Sequence, residues 1–147
     1  MEWQSNLVDD DAGLARILRE ARTIAVLGAK GEASQPAFYV PAYLKTRGYH
    51  VLPINPTRMG ERILGEPVVA TLADLREPPD VIEVFRRPQF LQAHAAEIVR
   101  LPWKATAVWF QLGIRNDAAA ETLARAGIRV VQDRCMMPEH RRLLGAA

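Results

Sequence analysis

A chain of 147 residues, 49% hydrophobic and 24% charged, has the composition of a soluble globular protein and the length of one domain, residues 1–147. At this size folding buries about 70% of the unfolded chain's surface, so neither a disulfide nor a structural metal is required, and the single cysteine, Cys135, excludes an internal disulfide and a multi-cysteine zinc site. A formal charge of +2, without a basic stripe or interleaved aromatics, argues against nucleic acid as a partner.

In chain order, Asp9, Asp10 and Asp11 supply an N-cap and favour the positive end of a first helix, whose stripe is Leu14, Ile17, Leu18 and Ala21. The apolar run Thr23 to Gly28 then reads as a first strand. A second helix is expected over 36–47, stopped by Gly48; Pro41 conflicts with a helix interior and moves the expected start of the regular helix nearer Val40. Strand signals recur at Tyr49 to Ile54, Val81 to Phe85, Ala105 to Phe110 and Ile128 to Gln132. Between the second and third, residues 56–79 read as a loop with minor structure, including a short helical signal at Leu72 to Arg76. A helix is expected from Pro88, carrying Phe90, Leu91, Ala95, Ile98 and Val99, and another from the cap Asn116 to just before Gly127. Nearly continuous apolar strands alternating with amphipathic helices predict an α/β fold: a Rossmann-like, doubly wound parallel sheet of about five strands with helices on both faces.

In such a sheet the ligand crevice lies beyond the carboxyl ends of the strands, where the winding reverses. The first strand ends in the small-residue turn Gly28-Ala29-Lys30-Gly31, which leads to a helix start and suits a phosphate; the same turn is equally compatible with a tight connection that binds nothing. The second strand ends Asn55-Pro56-Thr57-Arg58, without the acid that a NAD ribose diol requires. Arg58 can pair bidentately with a phosphate on an adenosine ribose, pointing to coenzyme A or NADP, or it is a solvated loop residue. Phe85, Arg86 and Arg87 close the third strand, and Phe110, Gln111 and Leu112 close the fourth, at the same edge. Glu83 is an acid inside a buried strand, expected to be paired or at the rim.

The segments Thr23-Ile24-Ala25-Val26-Leu27-Gly28-Ala29, Gly48 to Pro56, Ile63-Leu64-Gly65-Glu66, Val84-Phe85-Arg86, Val108 to Gly113 and Asp133-Arg134-Cys135-Met136 together resemble the small single-domain CoA-binding proteins. These are similar to the CoA-binding domain of the succinyl-CoA synthetase alpha subunit, and the resemblance covers residues 13–143. It implies a Rossmann-like fold binding coenzyme A or an acyl-CoA at the carboxyl edge of the sheet. It also implies that the turn Gly28, Ala29, Lys30 and Gly31 contacts phosphates and that Arg58 falls where the synthetase has a cation. Phe85, Arg86, Arg87, Phe110, Gln111 and Leu112 would then wall the remainder. Many relatives carry Ser at the position of Lys30 and Arg-Pro-Ser where this chain has Gln35-Pro36-Ala37.

The synthetase draws its catalysis from further domains, so the resemblance implies binding without catalysis. The alternative is an NADP-dependent or thiol-chemistry enzyme using the same crevice. His50, His94 and His140 show no spacing for a metal or a base, and Cys135 beside Glu139-His140 has no stated activation, since closeness in sequence neither lowers a thiol pKa nor supplies a contacting base. Because Cys135 follows the fifth strand, a ligand thiol extending along strands four and five would come near it. No basic, apolar leader opens the chain and no run approaches the ~18 apolar residues of a membrane span, so a cytoplasmic protein without membrane contact is expected.

Overall fold

The computed structural model describes residues 2–145. Helix α1 (Asp11–Glu20) starts at Asp10, whose carboxylate accepts the Gly13 N–H, as the run of acids predicts. It is followed by β1 (Thr23–Leu27), α2 (Pro36–Thr46), β2 (His50–Ile54), the short strands β3 (Arg62–Ile63) and β4 (Glu66–Pro67), and β5 (Val81–Val84). Then come α3 (Leu91–Val99), β6 (Ala107–Phe110), α4 (Asp117–Arg125), β7 (Arg129–Val131) and α5 (Met136–His140). All five expected strands form, each trimmed by a residue or more at an end, and they pair in parallel in the order β2-β1-β5-β6-β7.

The winding reverses at β1, which has β2 on one side and β5 on the other. Leu14, Ile17 and Leu18 of α1, Val40 and Leu44 of α2 and Met136 of α5 pack with Ile24, Val26 and Trp109 on one face. Leu91, Ala95 and Ile98 of α3 and Ala120 and Leu123 of α4 pack with Ile82, Val84 and Val108 on the other. Burial on both faces is why the strands read as continuous apolar runs. At the amino ends, the Asp80 carboxylate accepts the N–H groups of Arg22 and Thr23 at 2.7 and 3.1 Å, tying the start of β1 to the approach to β5.

Four features depart from the sequence reading. The second helix starts at Pro36 and runs through Pro41. A proline there cannot donate to the carbonyl of Ala37, four residues back; that carbonyl instead accepts the Lys30 N–H at 3.4 Å. Pro88 opens a 3-10 turn, Pro88–Phe90, and the regular α3 begins three residues after it, at Leu91. The loop 56–79 contains the β3–β4 hairpin, turned by Leu64 and Gly65 at φ 53° and 84°, and its helical signal shrinks to a 3-10 turn, Leu72–Asp74, closed by a Thr71–Asp74 capping box. Finally, the N-terminal segment adds to the outer edge of β7: Leu7 bridges Val130 in parallel and the Val8 N–H donates to the Val130 carbonyl at 2.9 Å. No helix among the described residues is long and apolar enough to cross a membrane.

Two positions in the central strands set the chemistry of the core. Gly28 has φ +91°, and a Cβ there would stand 2.5 Å from the Phe85 carbonyl oxygen, so the carboxyl ends of β1 and β5 meet only because this residue has no side chain. Glu83 lies in β5 between Val26 and Trp109, wholly buried. Gln111 Nε2 donates to its Oε2 at 2.7 Å, while Oε1 has no partner among the described residues. Burial pushes this carboxyl up from 4.5 to about 8, so the folded protein holds it protonated at neutral pH.

Two outcomes follow. Gly28→Ala meets both the carbonyl clash and the positive φ, and is expected to cost about 3 kcal/mol, lowering Tm by on the order of 10 °C in thermal denaturation. For Glu83 the native pKa is raised, so its contribution is complete below 4.5 and is lost as pH rises to about 8. Chemical denaturation across that window should show a decline on the order of 4 kcal/mol that Glu83→Gln abolishes; an unchanged slope in the variant would remove Glu83 as its source.

Candidate functional site

The turn after β1 is fastened at three points. The N–H groups of Gly28 and Ala29 both donate to the Ile54 carbonyl, at 2.9 and 3.2 Å, and the Asn55 side-chain amide donates to the Ala29 carbonyl at 2.9 Å. The Phe85 N–H donates to the Leu27 carbonyl at 2.9 Å, and the Lys30 N–H donates to Ala37. The backbone donors of Gly28, Ala29 and Lys30 are thus committed inside the protein. Those of Gly31, Ala33 and Ser34, and that of Ala37 in the first turn of α2, have no acceptor among the described residues, while the Glu32 N–H is turned to its own carboxylate. Uncommitted N–H groups leading into a helix start form an anion-binding arrangement. It begins where the Gly28–Gly31 turn ends, because the first part of that turn serves as the fastening.

Beside it lies a cleft of about 280 Å³. Of the residues singled out from sequence, it collects Lys30, Phe85, Arg86 and Arg87; it adds Gln35, Pro36, Ala37, Pro88 and Ile114. Arg86 stacks its guanidinium over the Phe90 ring at 4.9 Å, and its buried Nε has no partner among the described residues. A guanidinium N–H buried without an acceptor is costly unless an incoming group satisfies it. Lys30 and Arg87 are exposed. The sequence carried a signal for Gln35-Pro36-Ala37 and Pro88 as helix starts but none for Ile114, which the loop at Gly113, φ +84°, brings round to the cleft.

Arg58 and its neighbours stand apart from that cleft, against the other end of the loop. Asn55 is a clip: its Oδ1 accepts from the Thr57 N–H and hydroxyl at 3.0 and 2.7 Å while its amide holds Ala29. Pro56 opens the exposed turn Pro56–Arg58. The Arg58 fork is occupied by Glu32, Nη1 to Oε2 at 2.9 Å and Nη2 to Oε1 at 2.8 Å, with Glu61 at 3.5 Å. This pairing holds the Glu32 carboxyl below its usual range.

Phe110 and Gln111 are buried, at 2% and 3% exposure, and support the edge from beneath. Leu112, 71% exposed, lines a neighbouring cleft of about 350 Å³ with Cys135, Arg134 and Glu139. Asp133, at φ 57°, shapes this edge by accepting the Gly113 N–H at 2.6 Å. Cys135 is half-buried; burial pushes its thiol up, and the Glu139 carboxylate adds to that against the opposing hydrogen bond from the Met137 backbone. A raised thiol pKa means little thiolate at neutral pH. With an aromatic disulfide reagent at pH 7.5, the native protein should therefore react at least about tenfold more slowly than the urea-unfolded chain; equal rates would show the thiol to be open and activated.

The histidines are each engaged away from the cleft: His50 Nδ1 with Glu77 at 2.8 Å, His94 with Glu97 at 3.4 Å, and buried His140 with the Tyr43 hydroxyl at 2.9 Å. No group of three or more His, Cys, Asp or Glu side chains able to hold a metal occurs among the described residues.

Comparison with known proteins agrees with the geometry. The model of the CoA binding domain matches residues 22–141. YneT, an uncharacterised protein of Bacillus subtilis strain 168, is 31% identical over 129 residues, 88% of this chain and 93% of its own length. A Thermus thermophilus protein designated ID.343 superposes with a TM-score of 0.86 at 49% identity, covering 92% of this chain and 99% of that one. A hypothetical protein from Pyrococcus horikoshii OT3 gives 0.85 at 32%, covering 93% and 94%. With a matching model that spans both the fastened turn and the cleft, the chain belongs to the CoA-binding domain family.

Proposed function

We propose that the chain, acting as one unit, binds coenzyme A, free or as an acyl thioester, in the cleft where β1 and β5 end, and performs no chemistry of its own. The observation that carries this reading is the set of uncommitted N–H groups at Gly31, Ala33, Ser34 and Ala37, beside the partnerless buried Nε of Arg86. An elongated, multiply charged phosphate ligand satisfies both at once. Family membership supports CoA in particular.

In this reading the loop N–H groups and Arg86 hold the pyrophosphate, with Lys30 and Arg87 supplying charge at the rim. Lys30 offsets the phosphate-facing side chains that Gln35-Pro36-Ala37 does not provide. Phe85 offers a ring to the adenine. Arg58 reads the 3′-phosphate on the ribose, and the exposed Leu112 lies toward the pantetheine arm. Absence of catalysis is supported by the raised Cys135 thiol and by the engagement of each histidine with a neighbour. The thiol-chemistry alternative requires a thiolate that this environment disfavours.

Titration calorimetry with CoA, 3′-dephospho-CoA and NADP tests the assignment. CoA is expected to bind, about tenfold more tightly than the dephospho form. Arg86→Ala should weaken CoA by about tenfold to a hundredfold while the protein stays folded. Binding of NADP without binding of CoA would overturn the reading, as would an Arg86→Ala variant of undiminished affinity.

A further inference from the structure

Arg58 is the only described arginine held through both terminal nitrogens by a carboxylate from the turn that the proposed ligand must occupy. Its guanidinium also lies beside Gly31, the first residue with an uncommitted N–H: a Cβ on Gly31 would stand 3.8 Å from Arg58 Nη1. Glu32 is the next residue of the same loop. A carboxylate and a phosphate present the same pair of acceptor oxygens to a guanidinium fork. The two partners differ in freedom, since the Glu32 side chain is 52% exposed and that of Arg58 only 24%. Asn55, which opens the turn carrying Arg58, is clipped to Ala29, so the arginine's base is anchored while the carboxylate can swing into solvent.

From this geometry we infer that Glu32 is an internal competitor for the Arg58 fork, a carboxylate standing where the 3′-phosphate of the ligand is read, which that phosphate must displace. The inference rests on the CoA reading above and adds to it a residue that sets specificity. Displacement exchanges one charged partner for another, so the net gain from the 3′-phosphate is smaller than a free arginine would give. Glu61, 3.5 Å from Nη1, stays beside the fork and limits the gain further. The competitor therefore lowers the preference for CoA over its dephospho form without touching the pyrophosphate contacts, which the loop backbone and Arg86 make.

The test is the ratio of the dissociation constants for 3′-dephospho-CoA and CoA, measured by calorimetry on the intact chain. Glu32→Gln should raise that ratio about two- to fivefold, the range expected for removing an exposed ion pair. Glu32→Asp keeps the charge and shortens the arm; it should raise the ratio as well, whereas a general charge effect would leave it at the wild-type value. Arg58→Gln should bring the ratio near one, and adding Glu32→Gln to it should change nothing further. If wild type prefers CoA and Glu32→Gln leaves the ratio unaltered, the competitor is overturned while the CoA reading stands. If wild type binds neither ligand, both fall.

Discussion

Everything at the carboxyl edge of this protein depends on the approach of β1 to β5 at Gly28. The Phe85 carbonyl occupies the space of a side chain at that position, so the two strands around which the winding reverses converge without a gap. A crevice at the reversal point is a general property of open parallel sheets; here its width is set by the absence of one Cβ. The hydrogen bonds from Gly28 and Ala29 to Ile54 and from Phe85 to Leu27 lock three strands into that arrangement. The loop beyond can then be held open, because its base is already satisfied.

Pro41 contributes to the same arrangement from inside a helix. A proline interior to a helix costs a hydrogen bond and leaves a carbonyl exposed. Here the orphaned carbonyl belongs to Ala37, and the Lys30 N–H takes it. The local penalty becomes a tie between α2 and the turn, and it determines which backbone donors remain for a ligand. A residue that conflicts with its own element thus shapes the candidate site next to it.

The interior carries a second conflict in Glu83, a carboxyl inside a strand with a single donor, Gln111, beneath the edge that the ligand is proposed to use. Its protonated state is a consequence of burial alone. Burial acts toward the neutral form at Cys135 as well, pushing its thiol up. Two titratable groups near this edge, Glu83 and Cys135, are thus both held toward their neutral forms by burial.

The amino-acid sequence by itself determined the five strands, the caps at Asp10 and Asn116 and the α/β class, because these depend on periodicity and on neighbours within one helical turn. Its motifs also sufficed for the family. The tertiary structure alone decided which donors are free, that Arg58 is paired with a carboxylate 26 residues away, that Phe110 and Gln111 lie under the edge, and that Glu83 is neutral. It also placed Leu7 and Val8 on the edge of β7, more than a hundred residues along the chain. Those properties are set by burial and by partners distant in sequence, and a hydrogen-bond donor or a carboxyl has no fixed state until the fold has supplied or withheld its partner.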